Sequence, residues 1–351
     1  MTADTRPQSR PRPYRLSDRR ARRLNTMICF AIGLLGLFAM AVVALRVGHR
    51  PVTWGELWQA FVAYDRDVAG HVIIQQIRLP RLAAAMLCGG CLGIAGALMQ
   101  ALTRNPLADP GLLGVNAGAA LGVVLCTVLL RITDPAQFFW AALLGATLAA
   151  VLVFFLGGNT PSRTGRLILA GAAVSALFFA LIRGLLLASR ASLEVYRVWV
   201  LGGFDNVTQD MVAALLPFIL VGVILACIAG FSLNALQLGE EAALGLGIRV
   251  GLMQLVTGCA IVILCAATVA MAGPIAFIGL IVPHLARATA PQDIRWLALF
   301  SALYGAMLLG LADVVARTAF AQTTMQAGVM SAILGGPVLI WLVRSGGVRR
   351  L

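Results

Sequence analysis

Apolar runs of about 20 residues, each long enough to cross a bilayer core as a helix, follow one another along most of this chain. Ten spans are predicted, at 27–46, 82–102, 112–131, 137–157, 167–188, 211–231, 251–270, 274–289, 296–316 and 328–345. Four polar islands interrupt them: LTRNPLADPGLLGVNAGAALG at 102–122, GGNTPSRTGR at 157–166, LNALQLGEEAALGLGIRV at 233–250 and MAGPIAFIGLIVPHLAR at 271–287. Two further segments, 47–81 and 189–210, separate spans on the opposite side. The second of these reads as a short amphipathic helix lying on the bilayer surface. An even number of spans puts both ends of the chain on one side.

Composition agrees with a polytopic membrane protein. Mean hydropathy is +0.92 over 351 residues. Glycine and alanine crowd the spans (GGCLGIAGALMQA, GATLAA, LAGAAVSALFFA), and small residues let helix backbones approach closely in lipid, which predicts a tight all-α bundle. The seven cysteines all fall in apolar runs. Cys88 and Cys91 form C-x-x-C without a second pair or a nearby histidine, so they read as small packing residues.

The net charge of +13 is carried entirely by arginine, because the sequence has no lysine. A phosphate-binding G-x-x-x-x-G-K-[ST] loop is therefore excluded, and any ATP used must be bound by another polypeptide. Residues 1–26 are rich in arginine and proline and read as a disordered basic tail. The apolar run behind them is long for a signal peptide, and no small-x-small cleavage site follows, so a retained first span is expected. With both ends inside, 17 of the 27 arginines lie inside and 10 outside, and eight of the inside set belong to the tail. The positive-inside bias thus rests on the tail, which places the termini in the cytoplasm.

Candidate chemistry is sparse. His284 is the histidine nearest a span, no G-x-S-x-G or H-E-x-x-H occurs, and no His, Cys and carboxylate cluster suggests a metal. A membrane enzyme is disfavoured, and nothing points to nucleic acid. An ion-coupled carrier would bury ionisable groups mid-membrane, whereas Arg104, Asp109, Arg287, Asp313 and Arg317 sit at span ends, with Arg183 the exception. In the third island, LGEEAALGLG is acidic at its start and closed by glycines. It predicts a short helix from Gly239 or Glu240 to Gly245 or Gly247, serving as a connector or as a docking element for a cytoplasmic partner.

The segment RLPRLAAAMLCGGCLGIAGALMQALTRNPLADPGLLGVNAGAALG (78–122) resembles the signature of permease subunits of bacterial iron–siderophore, haem and vitamin B12 ABC importers. LNALQLGEEAALGLG resembles the coupling segment of that family, AGPIAFIGLIVPHLAR its eighth span, and LADVVARTA with GVMSAILGGPVLIWLV its ninth and tenth. The four blocks occur in the family's order, and the resemblance covers about residues 30–347. The wording RNPLADPG with GVNAGA is most similar to ferric-siderophore members.

The resemblance implies a type II importer permease fold of ten helices with an inverted repeat of helices 2–5 and 7–10. It also implies a second permease copy or homologue, two cytoplasmic ATPase subunits holding ATP and magnesium, and a periplasmic binding protein. No cofactor is expected in this chain. The expected cargo is a ferric siderophore, then haem, then vitamin B12. By resemblance, Gly239, Glu240, Glu241, Ala242, Ala243, Gly245 and Gly247 form the ATPase coupling element, with both alanines against the partner. Arg78, Arg81 and Arg317 match positions that pair with acidic residues of the binding protein.

The opening island is expected to be a helix-breaking turn in which prolines end the second span, Asn105 and Asp109 cap the next turn, and Gly111, Gly114 and Gly118 allow close packing. It reads either as a structural turn or as the moving gate of the pathway. A gate would take in Asn105, Pro106, Asp109, Pro110, Gly111, Asn116 and Gly118, with Thr160 and Ser162 of the second island. Two departures stand out. Thr324, Met325, Gln326 and Ala327 replace a frequent Glu-Leu-Pro-Val, and Leu244 occupies a position where the coupling helix commonly has arginine.

Overall fold

The computed structural model describes residues 16–48, 50–132, 135–157, 163–237, 240–319 and 325–344, and these are all helix and connection. Each predicted span has a helix: α1 (Leu16–Arg46), α4 (Leu79–Thr103), α5 (Val115–Leu129), α6 (Pro135–Gly157), α7 (Arg163–Ala188), α9 (Gln209–Leu236), α11 (Val250–Ala272), α12 (Ile278–Ala286), α13 (Ile294–Thr318) and α14 (Ala327–Arg344). Between them lie α2 (Trp54–Val62), α3 (Ala69–Val72), α8 (Arg190–Trp199) and α10 (Glu240–Gly245). The helix expected near 189–210 is thus α8, and the one expected at 239–247 is α10.

Two boundaries differ from expectation. Helix α1 begins at Leu16, inside the segment read as a disordered tail, since the arginines of RRARR are good helix formers. The span expected at 274–289 is only nine residues of helix, about 14 Å at 1.5 Å per residue and too short to cross a bilayer. Gly273 at φ 72°, Pro274 and Phe277 at φ 69° hold the preceding stretch out of helical geometry. Irregular backbone survives at that depth because it is wrapped by protein. Helix α12 packs between α4 and α13, with Ile278, Ile281 and Val282 buried.

The packing repeats between the two halves of the chain. Helix α4 lies against α13 and α12, and α11 lies correspondingly against α6 and α5. The pairs α5 with α6, α5 with α7 and α6 with α7 in one half match α12 with α13, α12 with α14 and α13 with α14 in the other. This is the pattern of an inverted repeat of four helices. Small residues make it possible. A Cβ on Gly89 would strike the backbone of Gly305, one on Gly93 the carbonyl of Ser301, and one on Gly118 the carbonyl of Gly145. At these points the helices touch backbone to backbone.

Candidate functional site

Three regions converge on possible function: the turn between α4 and α5, the end of the bundle that carries α10, and an arginine cluster at the opposite end, which carries α2, α3 and α8.

The turn is built as its residues suggest. Helix α4 stops at Arg104, which adopts left-handed φ 49°. The Asn105 side chain then accepts a hydrogen bond from the Leu107 amide at 2.9 Å, closing its own short turn rather than capping a helix. Asp109 does cap: its Oδ1 accepts from the Gly111 amide at 2.7 Å and starts a 3₁₀ turn over Pro110–Leu113. Gly114 at φ 74° bends the chain into α5, a backbone shape glycine adopts without strain. Pro110 packs on Gly279 of α12, where any added Cβ would crowd the proline ring. The broken start of α5 therefore meets the broken start of α12, at matching places in the two repeats. Asn116 lies beside Gly111, Pro106 is half-buried, and Gly118 sits against α6. Thr160 and Ser162 lie outside the described residues.

The α10 end is tied to this turn. The Arg104 guanidinium donates to the carbonyl of Leu236, in the last turn of α9, at 2.9 Å. Two residues earlier, Asn234 donates to the Asp293 carboxylate at 2.9 Å and accepts from the Ile294 amide at 2.9 Å. Asp293 caps α13 through the Arg295 amide and pairs with the Arg295 guanidinium at 2.7 Å. These bonds hold the carboxyl down at about 2. Sequence reading missed this clamp, because Asn234 and Asp293 are far apart in the chain and each looks like an ordinary loop residue.

Helix α10 corrects one expectation. Ala243 is fully buried in the core of its own subunit, so it is unavailable to a partner, while Ala242 and Glu241 are exposed. Leu244 and Leu246, at 59% and 65% exposure, are the apolar side chains presented outward. A six-residue helix has room to bury one face only, and the alternation of apolar residues here did not reveal which. Gly247 at φ 78° ends the motif, and Gly245 is open on its Cβ side. Gly239 and the Glu240 side chain lie outside the described residues.

At the other end, Arg78, Arg81 and Arg317, the positions matched to binding-protein docking, are buried and have internal partners. The last carbonyls of α1 lack intrahelical donors. Arg78 donates to the carbonyls of Leu45 and Arg46 at 2.7 and 2.8 Å, and Arg317 to those of Ala44 and Val47 at 2.7 and 3.0 Å. The two guanidiniums thus cap α1, and cations favour a helix C-terminus. Arg81 bridges Asp313, with Nη2 at 2.8 Å from its carboxylate, and Asp205, and Asp313 also faces Arg317 at 3.3 Å. Arg50, Arg78, Arg81 and Arg317 nevertheless line a cavity of about 240 Å³. Four cations there are offset by two carboxylates.

Among the described residues, no group of His, Cys, Asp and Glu is arranged to hold a metal ion. The geometry offers two broken helix starts in contact, a short helix with an outward apolar face and a recess lined by arginines.

Comparison with known proteins follows the same lines. The chain matches the FecCD transport family over residues 35–345. It is 38% identical over 325 residues to a probable siderophore transport system permease, YfiZ, of Bacillus subtilis, covering 91% of this chain and 96% of that one. It is also 38% identical to the ferric enterobactin transport system permease FepD of Escherichia coli, over 90% and 95% of the two chains. Other relatives include permeases for Fe(3+)-citrate, iron(3+)-hydroxamate, hemin and vitamin B12. A solved chain described as an inward-facing metal-chelate type ABC transporter superposes with a TM-score of 0.80 at 28% identity, covering 91% of this chain and 99% of its own. This chain belongs to the FecCD transport family, as a multi-pass membrane protein with the fold of an ABC importer permease.

Proposed function

We propose that the chain is the membrane-spanning permease of an ATP-driven importer that carries an iron chelate, a ferric siderophore, across the bacterial inner membrane. It works with two cytoplasmic ATPase subunits that hold ATP and magnesium, a second permease copy or homologue, and a periplasmic substrate-binding protein. Both termini and α10 face the cytoplasm, and α2, α3 and α8 face the periplasm. Cargo passes between the two permeases, and ATPase contacts on α10 bias the two states of the pathway, since only a differential contact can shift an equilibrium.

The observation that carries this reading is α10 itself. It is a six-residue helix anchored by the buried Ala243, with Leu244 and Leu246 presented away from the bundle, in a chain that matches the family over residues 35–345. We read this outward pair, beside a buried alanine, as the surface that the ATPase covers. An ion-coupled secondary carrier fits less well. Buried Asp313 is neutralised by two arginines, and Asp109, the other carboxylate in the bundle, serves the turn by accepting from the Gly111 amide, so each already has a structural role.

The test is growth and radioiron uptake in a deletion strain under iron limitation. Ferric-siderophore uptake should be lost and restored by the gene together with its ATPase, and not by the gene with an ATPase lacking hydrolysis. Normal ferric-siderophore uptake with a defect for haem or vitamin B12 would overturn the cargo and leave the importer. Cysteine labelling should reach positions 163 and 249 from the cytoplasm and 47–77 from outside. The reverse pattern would overturn the orientation and the ATPase partnership.

A further inference from the structure

The connection between α1 and α4 lies outside the ten spans, yet its first helix carries an apolar face of its own. In TWGELWQAFV (53–62) the Glu56 amide donates to the Thr53 hydroxyl, and the Thr53 amide donates to the Glu56 carboxylate at 2.8 Å, so a capping box starts α2. Leu57 and Ala60 turn inward onto Val52 and Ile74. Trp54, Trp58, Phe61 and Val62 recur at i, i+4, i+7 and i+8, the spacing of one helix face. All four are exposed, Trp58 at 72% and Val62 at 66%. Glu56 and Gln59 take the remaining arc. Helix α2 therefore has one face on the protein, one polar face, and one face that is apolar and uncovered.

The depth of that face says what covers it. The apolar part of α1 runs from Leu24 to Arg46, 23 residues. Its length is about 34 Å at 1.5 Å per residue, against a hydrocarbon core of about 30 Å. Arg46 therefore stands at the edge of the core. It belongs to the exposed stripe of α1 that holds Leu35, Phe38 and Val43, the side α1 turns to lipid. Its guanidinium lies over the Trp54 ring, 4.4 Å from the ring centre. Trp54 is thus continuous with the lipid-facing surface of α1, at the level where acyl chains give way to headgroups. Tryptophan favours that level, because its ring is apolar while its N–H finds water or a headgroup oxygen.

The helix is also fixed to the bundle. Gln75 donates to the Ala60 carbonyl at 2.9 Å, and Arg78 donates to the Arg50 carbonyl just ahead of α2. The inward side of α2 is thereby bonded to the residues that lead into α4 and line the arginine recess. A helix seated in the interface holds that recess at a set height on the bilayer.

We propose that α2 is an interfacial anchor, with Trp54, Trp58, Phe61 and Val62 set into the boundary between headgroups and acyl chains. Its partner is the phospholipid surface, met by aromatic and aliphatic area with Arg46 at headgroup level. A soluble protein would have to reach past the headgroups to cover Trp54. The inference needs only that the chain spans a bilayer, and it is independent of the cargo and of which leaflet is involved.

The experiment measures tryptophan emission from the full chain in phosphatidylcholine liposomes at high lipid excess. A nitroxide at carbon 5 of the acyl chain quenches shallow rings, one at carbon 12 quenches deep rings, and acrylamide quenches rings in water. The signal is the difference between wild type and W58F, a single change at an exposed site that keeps an aromatic ring. This difference should be quenched at least about twofold more by the carbon-5 label than by the carbon-12 label, as for a face set about 5–10 Å into the boundary. Acrylamide should quench it far less than it quenches free N-acetyltryptophanamide. Acrylamide quenching close to the free value would put the face in water, open to a soluble protein, and overturn the proposal. Shielding from acrylamide with no response to either nitroxide would put protein over it, a second copy included, and would overturn it as well. Stronger quenching at carbon 12 would make α2 a membrane-buried helix and not an interfacial one. Labelling in cells gives a second reading. Trp58→Cys should react with a hydrophilic maleimide at least about tenfold more slowly than Gln59→Cys on the polar arc, because only the first is withdrawn into the boundary. Equal rates would overturn the anchor, whereas the side from which both are labelled tests the orientation alone.

Discussion

Arg104 donates to the main-chain carbonyl of Leu236, joining the turn that ends α4 to the last turn of α9, four residues before α10 begins. The bond spans 132 residues of sequence. It ties the proline-rich turn, which touches α12 through Pro110, to α9, the helix against which α10 packs. We expect this guanidinium to be one of the links by which α10 is coupled to the broken starts of α5 and α12. A bond from a charged donor is worth about 1.5–3 kcal/mol. We expect Arg104→Ala to lower chelate uptake about tenfold, while the ATPase still co-purifies and still hydrolyses ATP. Uptake at the wild-type rate would reduce this bond to a local cap.

The structure sharpens what to change on α10. Ala242 is exposed and Ala243 is buried in its own subunit. Ala242→Trp should leave insertion and permease pairing intact, yet release the ATPase or uncouple hydrolysis from uptake, because added bulk clashes with a packed partner. Leu244→Asp should do the same by placing a charge at an apolar contact. Ala243→Trp should instead reduce the yield of folded permease. Co-purification of the ATPase, measured beside vesicle uptake, separates these outcomes. Wild-type association and uptake in both Ala242→Trp and Leu244→Asp would make α10 a connector.

Much of this architecture is legible in the sequence because lipid leaves a chain few choices. Each apolar run must satisfy its own backbone, so ten runs give ten helices. Glycines at 89, 93 and 118 announce close packing without naming the partner helix. The turn at 104–118 is legible because Pro, Asn, Asp and Gly act locally. Partners distant in sequence are not legible. Nothing near Arg81 points to Asp205 or Asp313, and the capping of α1 by Arg78 and Arg317 appears only once three helix ends meet. The short α12 was missed because Phe277 adopts a left-handed conformation that its sequence does not announce, the surrounding bundle outweighing local preference. The buried face of α10 was missed because six residues carry no period.

Backbone contact between α4 and α13 makes a stability prediction. A side chain at Gly89 would meet the backbone of Gly305 and Ala306. Gly89→Val should destabilise the folded permease by about 3 kcal/mol, the upper part of the overpacking range. Gly165→Val, whose Cβ would meet nothing within 4 Å, is the matched control. Thermal unfolding in detergent should show a clear drop for the first and little change for the second. Equal midpoints would mean that α4 and α13 sit farther apart than described.

The arginine recess makes a docking prediction with a cleaner probe than the buried trio. Reversing Arg78 or Arg317 would also strip donors from the end of α1, so a loss of activity would be ambiguous. Arg50 is exposed and lines the same cavity. If an acidic side chain of the binding protein enters the recess, Arg50→Glu should weaken stimulation of the ATPase by the binding protein about three- to tenfold. The effect should shrink as salt rises, because rim charges act mainly on encounter. Unchanged stimulation at low salt would leave these arginines with their internal role in capping α1.

Asp293 makes a prediction about pH. Its carboxyl titrates at about 2 because Arg295 holds it by hydrogen bonds, with Asn234 and the Arg295 amide adding to the effect. An ordinary aspartate in an unfolded chain titrates near ~3.9. The folded value is the lower of the two, so the unfolded state takes up its proton first as acid is added. The stability contributed by this clamp is therefore complete above roughly pH 5, declines as pH falls through about 4, and is gone below about 2. Asp293→Asn removes the charge at every pH and leaves Asn234 facing an amide. The variant should unfold at a lower temperature than wild type at pH 7, and the gap should close as pH falls from 5 toward 2. Because other carboxylates titrate in the same range, the readout is the difference in midpoint between the two proteins at each pH. A constant difference down to pH 2 would mean that Asp293 acts through shape and not through charge. A vanishing difference at pH 7 would mean that the join between α9 and α13 contributes nothing to the fold.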